Sequence, residues 1–364
     1  MLIIDAHLDL SWNALQWNRN LLHPVYTIRA EEGGLTGKAR GQNTVALPDM
    51  RRGRVAIVVA TLLARSTGRP VPHVDFPTPY QSFGIARGQL AYYRALEQAG
   101  HIRIIEDATT LKAHISEWEQ WDAAHPADAP DEAADTPLLG FILSMEGADP
   151  ILAPDQLEEW WELGLRLLGP THYGPGRYAG GTATELGLTK LGPPLLAEMQ
   201  RLGILLDVTH FSDRAFWQAL ELYQGPVLAS HNNCRALVPN QRQFSDEQLR
   251  AIIQRDGVIG AAFDVWMLKA DWSGLDHSNE NVTMADVVDH IDHVCQLAGD
   301  SRHAAIGSDL DGGYGREQSP HDLDTIADLQ RISGLLCERG YGEDDIQNIM
   351  YGNWLRLLTS AWGV

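Results

Sequence analysis

The stretch Leu2-Ile3-Ile4-Asp5-Ala6-His7-Leu8-Asp9 decides how the rest of the chain is read. After its apolar opening, Asp5, His7 and Asp9 fall at alternate positions. Alternate side chains of an extended strand share a face, so His7 and Asp9 point together from the strand's carboxyl end. An imidazole and a carboxylate at that spacing suit a divalent cation. A lone His-x-Asp match is weak, because a polar loop after a strand reads the same way. Its weight comes from recurrence, since later apolar runs also stop at Glu, His or Asp.

Working outward, Val55 to Leu63 is apolar on both faces, as a buried parallel strand requires. Leu138 to Met145 ends at Glu146-Gly147, and the run from Leu165 closes on Thr171-His172. Ile204 leads to Asp207-Val-Thr-His210, Pro226 to Ser230-His231, Gly257 to Phe263-Asp264, and His303 to Ser308-Asp309. Helical patterns stand between most of them, at about 80–98, 109–121 with Thr110 near its cap, 154–163, 194–201, 212–223 and 283–297. Ser245 and Gln248 form a capping-box pattern before another, and helices at about 321–339 and 343–359 finish the chain.

Strands near residues 2, 54, 138, 165, 204, 226, 257 and 304, alternating with helices, predict a (β/α)8 TIM-type barrel. A short ninth run at 101–106 is assigned outside it. An open doubly wound sheet fits less well, because it gathers its site at one switch point, whereas ligand-type residues here end strands throughout the chain. The 364 residues suit a single barrel domain, 1–364, with loop insertions at about 66–79, 123–137 and 174–188. Residues 10–53 read as an irregular loop with a turn of helix that folds over a site. The glycine-rich 173–188 reads as a mobile loop, and 265–281 as a Trp-bearing loop.

Lys and Arg number 28 against 48 Asp and Glu, and 28 − 48 gives −20, which argues against nucleic acid or an anionic membrane as partner. Cys234, Cys295 and Cys337 have no metal-type spacing and read as buried small hydrophobes in a reducing compartment. With no basic region before the apolar start and no long apolar run, neither a leader nor a spanning helix is expected, and the expected location is the cytoplasm.

The barrel turns scattered residues into one constellation. Active sites of this fold lie at the carboxyl ends of the strands, so His7, Asp9, Glu146, His172, His210, His231 and Asp309 face one mouth. Any one of these histidines could simply close its strand by bonding the backbone. Together with the carboxylates they would be costly to gather in a partly buried mouth without a compensating cation. The ligand set suggests two metals: His7 and Asp9 on one, His210 and His231 on the other, Glu146 bridging and Asp309 standing over the pair. Such ligation suits Zn²⁺, with Mn²⁺, Fe²⁺ or Co²⁺ as alternatives. Two cations about 3.5 to 4 Å apart can share a hydroxide and polarise a carbonyl, which indicates hydrolysis.

The motifs Asp5-Ala-His7-Leu-Asp9, Ser144-Met-Glu146-Gly, Thr171-His172, Asp207-Val-Thr-His210-Phe-Ser, Ser230-His231-Asn and Gly307-Ser-Asp309-Leu-Asp-Gly carry a resemblance in their order. The chain resembles the membrane (renal) dipeptidase family, binuclear zinc peptidases of the amidohydrolase superfamily, and its soluble bacterial members in particular. The resemblance implies His7, Asp9, Glu146, His210, His231 and Asp309 around two zinc ions. It implies that His172 steadies the scissile carbonyl and that Asp309 moves a proton from the bridging hydroxide to the leaving amine. Arg242, eleven residues after His231, would bind the substrate's terminal carboxylate. The expected substrate is a small dipeptide, an L residue followed by a D or small residue, with no membrane or nucleic-acid partner and a homodimer allowed. The alternatives are a superfamily hydrolase of another amide or ester, such as an N-acyl-amino acid or a lactone, and a silent barrel that only binds.

Overall fold

The computed structural model describes residues 1–69, 71–125, 136–270, 272 and 279–363. Its named strands pair in parallel: β1 (Ile3–Leu8), β2 (Val55–Leu63), β3 (Ile102–Ile104), β4 (Leu139–Glu146), β5 (Leu165–Gly169), β6 (Leu205–Asp207), β7 (Val227–Ala229), β8 (Val258–Ala261) and β9 (Ala304–Ile306). The hydrogen-bonded order β1-β2-β4-β5-β6-β7-β8-β9 is that of a (β/α)8 barrel, with β3 attached only to β4. β3 pairs with Leu139 to Phe141, while β5 takes the same strand from Leu143 onward, so β3 lies outside the barrel as expected. Its residues Ile102 and Ile104 still add apolar surface to the buried core.

The ring returns from β9 to β1 through the Asp5 side chain and one backbone bond. The Asp5 carboxylate accepts from Ser308 N–H at 2.8 Å and from its hydroxyl, and Asp309 N–H donates to the His7 carbonyl at 3.3 Å. Glycine is required where β7, β8 and β9 converge. A Cβ on Gly260 or Gly307 would lie 2.1 or 1.7 Å from the Ser230 carbonyl oxygen, inside any tolerable contact. Those two absences let the strand ends close beneath His231. β2 and β4 are buried at every residue, which explains their apolar composition on both faces.

Several expectations are corrected by the structure. Residues 10–53 hold three helices, Leu10–Gln16, Val25–Glu31 and Leu47–Arg52, rather than one irregular loop. Their anchor is buried and polar, so hydrophobic periodicity could not reveal it: Arg19 bonds Glu32 at 2.9 Å, Asn13 at 2.8 Å and the Ala39 carbonyl at 2.6 Å. The helix Ala108–Ala124 is capped by Asp107, whose carboxylate accepts from Thr110 N–H at 2.8 Å; Thr110 is therefore capped rather than capping.

Residues 173–188 are pinned rather than loose. Short bridges tie Pro175 to Gly180 and Ala179 to Leu188, and buried Tyr178 donates to the Ile151 carbonyl at 2.7 Å. The segment 265–281 contains a helix, Val265–Leu268, and a 3-10 turn, Asn279–Asn281. The helix expected from 321 begins at Arg331 after a 3-10 turn, Ile326–Gln330, because the Asp328 carboxylate caps the N–H groups of Asp324 and Thr325. Most of the expected insertion at 123–137 lies outside the described residues. Cys234 and Cys295 are buried, whereas Cys337 is exposed. Among the described residues no helix is long and apolar enough to cross a membrane.

Candidate metal centre

Glu146 ends β4, and its Oε1 is the focus of the barrel mouth. It lies 3.2 Å from His210 Nε2, 3.3 Å from His231 Nε2, 3.6 Å from His7 Nε2 and 3.7 Å from His172 Nε2. His210 and His231 face each other with Nε2 atoms 3.1 Å apart, and His7 Nε2 is 3.8 Å from Asp309 Oδ1. Ligand atoms fall within 4.8 Å of one another in three overlapping sets: His7, Glu146 and His231; Glu146, His172 and His210; His7, Asp9 and Asp309. The structure thus brings all these residues to one place.

The hydrogen bonds behind the imidazoles set their tautomers. Ser230 donates its hydroxyl proton to Asp207, so its oxygen accepts from His231 Nδ1–H at 2.9 Å and leaves a lone pair on Nε2. Thr182 Oγ1 holds His210 Nδ1 at 2.9 Å in the same way. His172 is the exception. Arg65 Nη1 lies 3.1 Å from its Nδ1, and a guanidinium only donates, so the neutral ring carries its proton on Nε2 and has no lone pair to offer there. His172 is thereby a donor beside the cluster, not a ligand within it.

The charges fit a cation. Burial pushes the His210 and His231 pKa values well below the ordinary imidazole value, the neutral form a metal needs. Burial also lifts Asp9 to about 6 and Asp309 well above the carboxylate range. Burial acts the same way on Glu146, but the facing imidazoles outweigh it and hold Glu146 well below its ordinary value. His7 is buried too, yet Glu146, Asp9 and Asp309 raise it to about 10. Its Nε2 is nonetheless a buried nitrogen with no hydrogen-bond partner. Clustered carboxylates balanced by a borrowed proton, beside imidazole lone pairs aimed inward, are the donor set of a divalent metal site. Two of the residues are held in strained backbone, His210 at φ 67° and Asp309 at φ 57°, as is common where side chains are aimed for function.

A cavity of about 360 Å³ opens over the cluster, lined by Asp9, Glu146, His172, His210, Arg242 and Asp309 together with Trp12, Arg65, Tyr173, Asp264 and Trp266. Arg242 is 2 % exposed rather than solvated, and its Nη atoms donate to Asn232 Oδ1 and the His231 carbonyl, both at 2.8 Å. Each Nη keeps a second N–H beyond those two bonds, so a residue that lines the cavity retains donors for a ligand, while its Nε is buried without a partner. Sequence reasoning missed Arg65, Tyr173 and Asp264 as site residues. Arg65 and Asp264 stand just past β2 and β8: Arg65 is not a ligand type, and Asp264, though the run from Gly257 stops at it, has no place in the expected ligand set.

The family model for membrane dipeptidase, peptidase family M19, matches residues 1–362. An uncharacterised protein of the pqqA 5′ region of Klebsiella pneumoniae is 31% identical over 234 residues, covering 62% of this chain and 83% of its own length. The dipeptidase aclJ of Aspergillus oryzae is 30% identical over 225 residues, 60% of this chain and only 51% of its own. Among solved structures, dipeptidase AC, a metallopeptidase of family M19, matches with TM-score 0.79 at 25% identity, over 100% of this chain and 99% of its own. A metallopeptidase from Rhodobacter sphaeroides, liganded with a phosphinate mimic of the dipeptide L-Ala-D-Ala, matches with TM-score 0.73 at 25% identity over the same shares.

Proposed function

Because the chain belongs to the membrane dipeptidase family, peptidase family M19, and is a metal-dependent dipeptidase, we propose that it works with two zinc ions on dipeptides of an L residue followed by a D or small residue. The observation that carries this reading is the single oxygen, Glu146 Oε1, within 3.7 Å of four imidazole nitrogens. His7 and Asp9 would hold one ion and His210 and His231 the other, with Glu146 and Asp309 completing the donor set. The relative crystallised with a mimic of L-Ala-D-Ala supports the stereochemical part.

When bound, the ions supply an acidified water and polarise the scissile carbonyl. The rest falls to the chain itself. His172 presents its Nε2–H to the carbonyl oxygen, where negative charge develops during attack. Asp309 takes the proton of the attacking water and returns it to the departing amine. Arg242, anchored by Asn232 and the His231 carbonyl, offers its spare N–H groups to the terminal carboxylate. Trp12 and Tyr173 help wall the cavity and limit the water that competes for these donors.

The experiment is a panel of L,L-, L,D- and D-residue dipeptides, together with N-acyl-amino acids and lactones, assayed beside metal analysis of the same preparation. About two zinc ions per chain and fastest turnover of L,D-dipeptides are expected. Turnover confined to N-acyl-amino acids or lactones would replace this reading with the other hydrolase.

A further inference from the structure

One carboxylate in the cavity takes no part in the chemistry above. Asp264 follows β8, is 6 % exposed, and lines the same space as Arg242 and Asp309. Its Oδ1 accepts from Gln318 Nε2 at 2.7 Å and from Trp266 N–H at 3.4 Å. The Trp266 side chain adds a further hydrogen bond to the carboxylate, and among the described residues no ion pair within 4 Å involves Asp264, whose Oδ2 is left to the cavity side. Burial lifts its pKa to about 6, and the Gln318 hydrogen bond, the Lys38 charge and the Trp266 hydrogen bonds only partly offset the effect. Oδ2 is not among the buried atoms left without a partner, so it opens to the cavity, where a cation that enters would meet a carboxylate held in place by its other oxygen.

Strand order locates what that oxygen would meet. Arg242 lies beyond β7, Asp264 beyond β8 and Asp309 beyond β9, and β7, β8 and β9 are consecutive neighbours in the barrel. Asp264 therefore stands on the rim between the other two. On the reading proposed above, on which this inference rests, Asp309 faces the departing amine and Arg242 the terminal carboxylate. Those groups are the two ends of the C-terminal amino acid, which puts Asp264 beside that residue and within reach of its side chain in one of the two configurations at Cα. Trp266 and Met267 line the same wall and give apolar surface to a methylene stem.

We propose that Asp264 selects dipeptides whose C-terminal residue carries a cationic side chain, with Oδ2 receiving the ammonium or guanidinium group. The zinc-loaded enzyme then prefers L-alanyl-D-lysine to L-alanyl-D-norleucine, which lacks only the ammonium, by at least about tenfold in kcat/KM. Asp264→Asn keeps an acceptor for Gln318 and brings this ratio close to one, while Asp264→Glu restores part of it.

A second readout needs no turnover. In metal-free protein, the fluorescence of Trp12 and Trp266 in the cavity wall should report binding of the lysine dipeptide at about tenfold lower Kd than the norleucine dipeptide. Equal kcat/KM and equal Kd for the two in the native chain would overturn the inference and leave the dipeptidase reading standing, without recourse to a variant. A preference that survives in folded Asp264→Asn would also overturn it. So would a loss of binding on N-acetylation of the substrate that disappears in the variant, because Asp264 would then serve the α-ammonium. Hydrolysis of no dipeptide at all would overturn both readings.

Discussion

The guanidinium of Arg65 donates to Nδ1 of His172 across 3.1 Å, and this contact decides which face of the imidazole can act on a substrate. Burial lowers the His172 pKa to about 4, and the nearby Arg65 and Arg242 charges reinforce that against Glu146, so the ring is neutral at working pH. A neutral ring accepting at Nδ1 must donate from Nε2. Arg65→Leu frees the tautomer, and kcat should fall by about 10²-fold, the scale of losing one preorganised donor, with metal content unchanged. Arg65→Lys, which still donates, should recover part of the rate. Steady-state kinetics, metal analysis and ¹⁵N shifts of the ring check this, and an unaltered tautomer in the leucine variant would refute it.

Asp309 and His210 should separate under mutation. Asp309→Asn removes the proposed proton carrier while leaving an oxygen near His7, so metal should be retained and turnover should fall by about 10² to 10⁴-fold. His210→Ala removes an imidazole 3.2 Å from Glu146 and should lose both metal and activity. Equal metal loss in the two variants would contradict this division of labour.

Arg242 is tested by the split between KM and kcat. Arg242→Ala deletes the proposed carboxylate anchor, and KM for dipeptides should rise by about 10 to 100-fold. It also strands the His231 carbonyl and Asn232, which Arg242 now satisfies, so some loss of thermal stability should accompany it. An unchanged KM would assign Arg242 to structure alone.

Acid sensitivity should trace in part to His290, far from the substrate groups along the chain. Its Nδ1 accepts from Cys234 N–H at 3.0 Å, and burial lowers its pKa to about 4. The unfolded chain takes up a proton near the ordinary value of 6.5, whereas the folded chain does not until about 4. Stability from this group is therefore complete above about pH 6.5 and is lost as pH falls through that window, at about 1.4 kcal/mol per pH unit. His290→Asn, which keeps an acceptor for Cys234, should flatten the decline of Tm between pH 6.5 and 4; an identical slope in both proteins would remove His290 as its cause.

The residues that meet at Glu146 were legible because each ends an apolar run, and a parallel barrel delivers every such end to the same rim. Asp207 was quoted with its motif, but its work of ordering Ser230 and hence His231 was not legible. That work depends on a hydrogen bond between neighbouring strands, which no spacing along the chain records.

Residue types and their periodicity were by themselves enough to settle the parallel barrel and the chemical nature of its mouth, because buried strands must be apolar and clustered ligands interrupt them visibly. Tertiary structure alone decided the direction of each donor. Arg65 fixes the proton of His172, the His231 carbonyl holds Arg242 in the cavity wall, and the neighbours of Asp264 leave one oxygen open. Directional bonds between side chains distant in sequence depend on the packed geometry of the loops, and that geometry has no periodic signature in the chain.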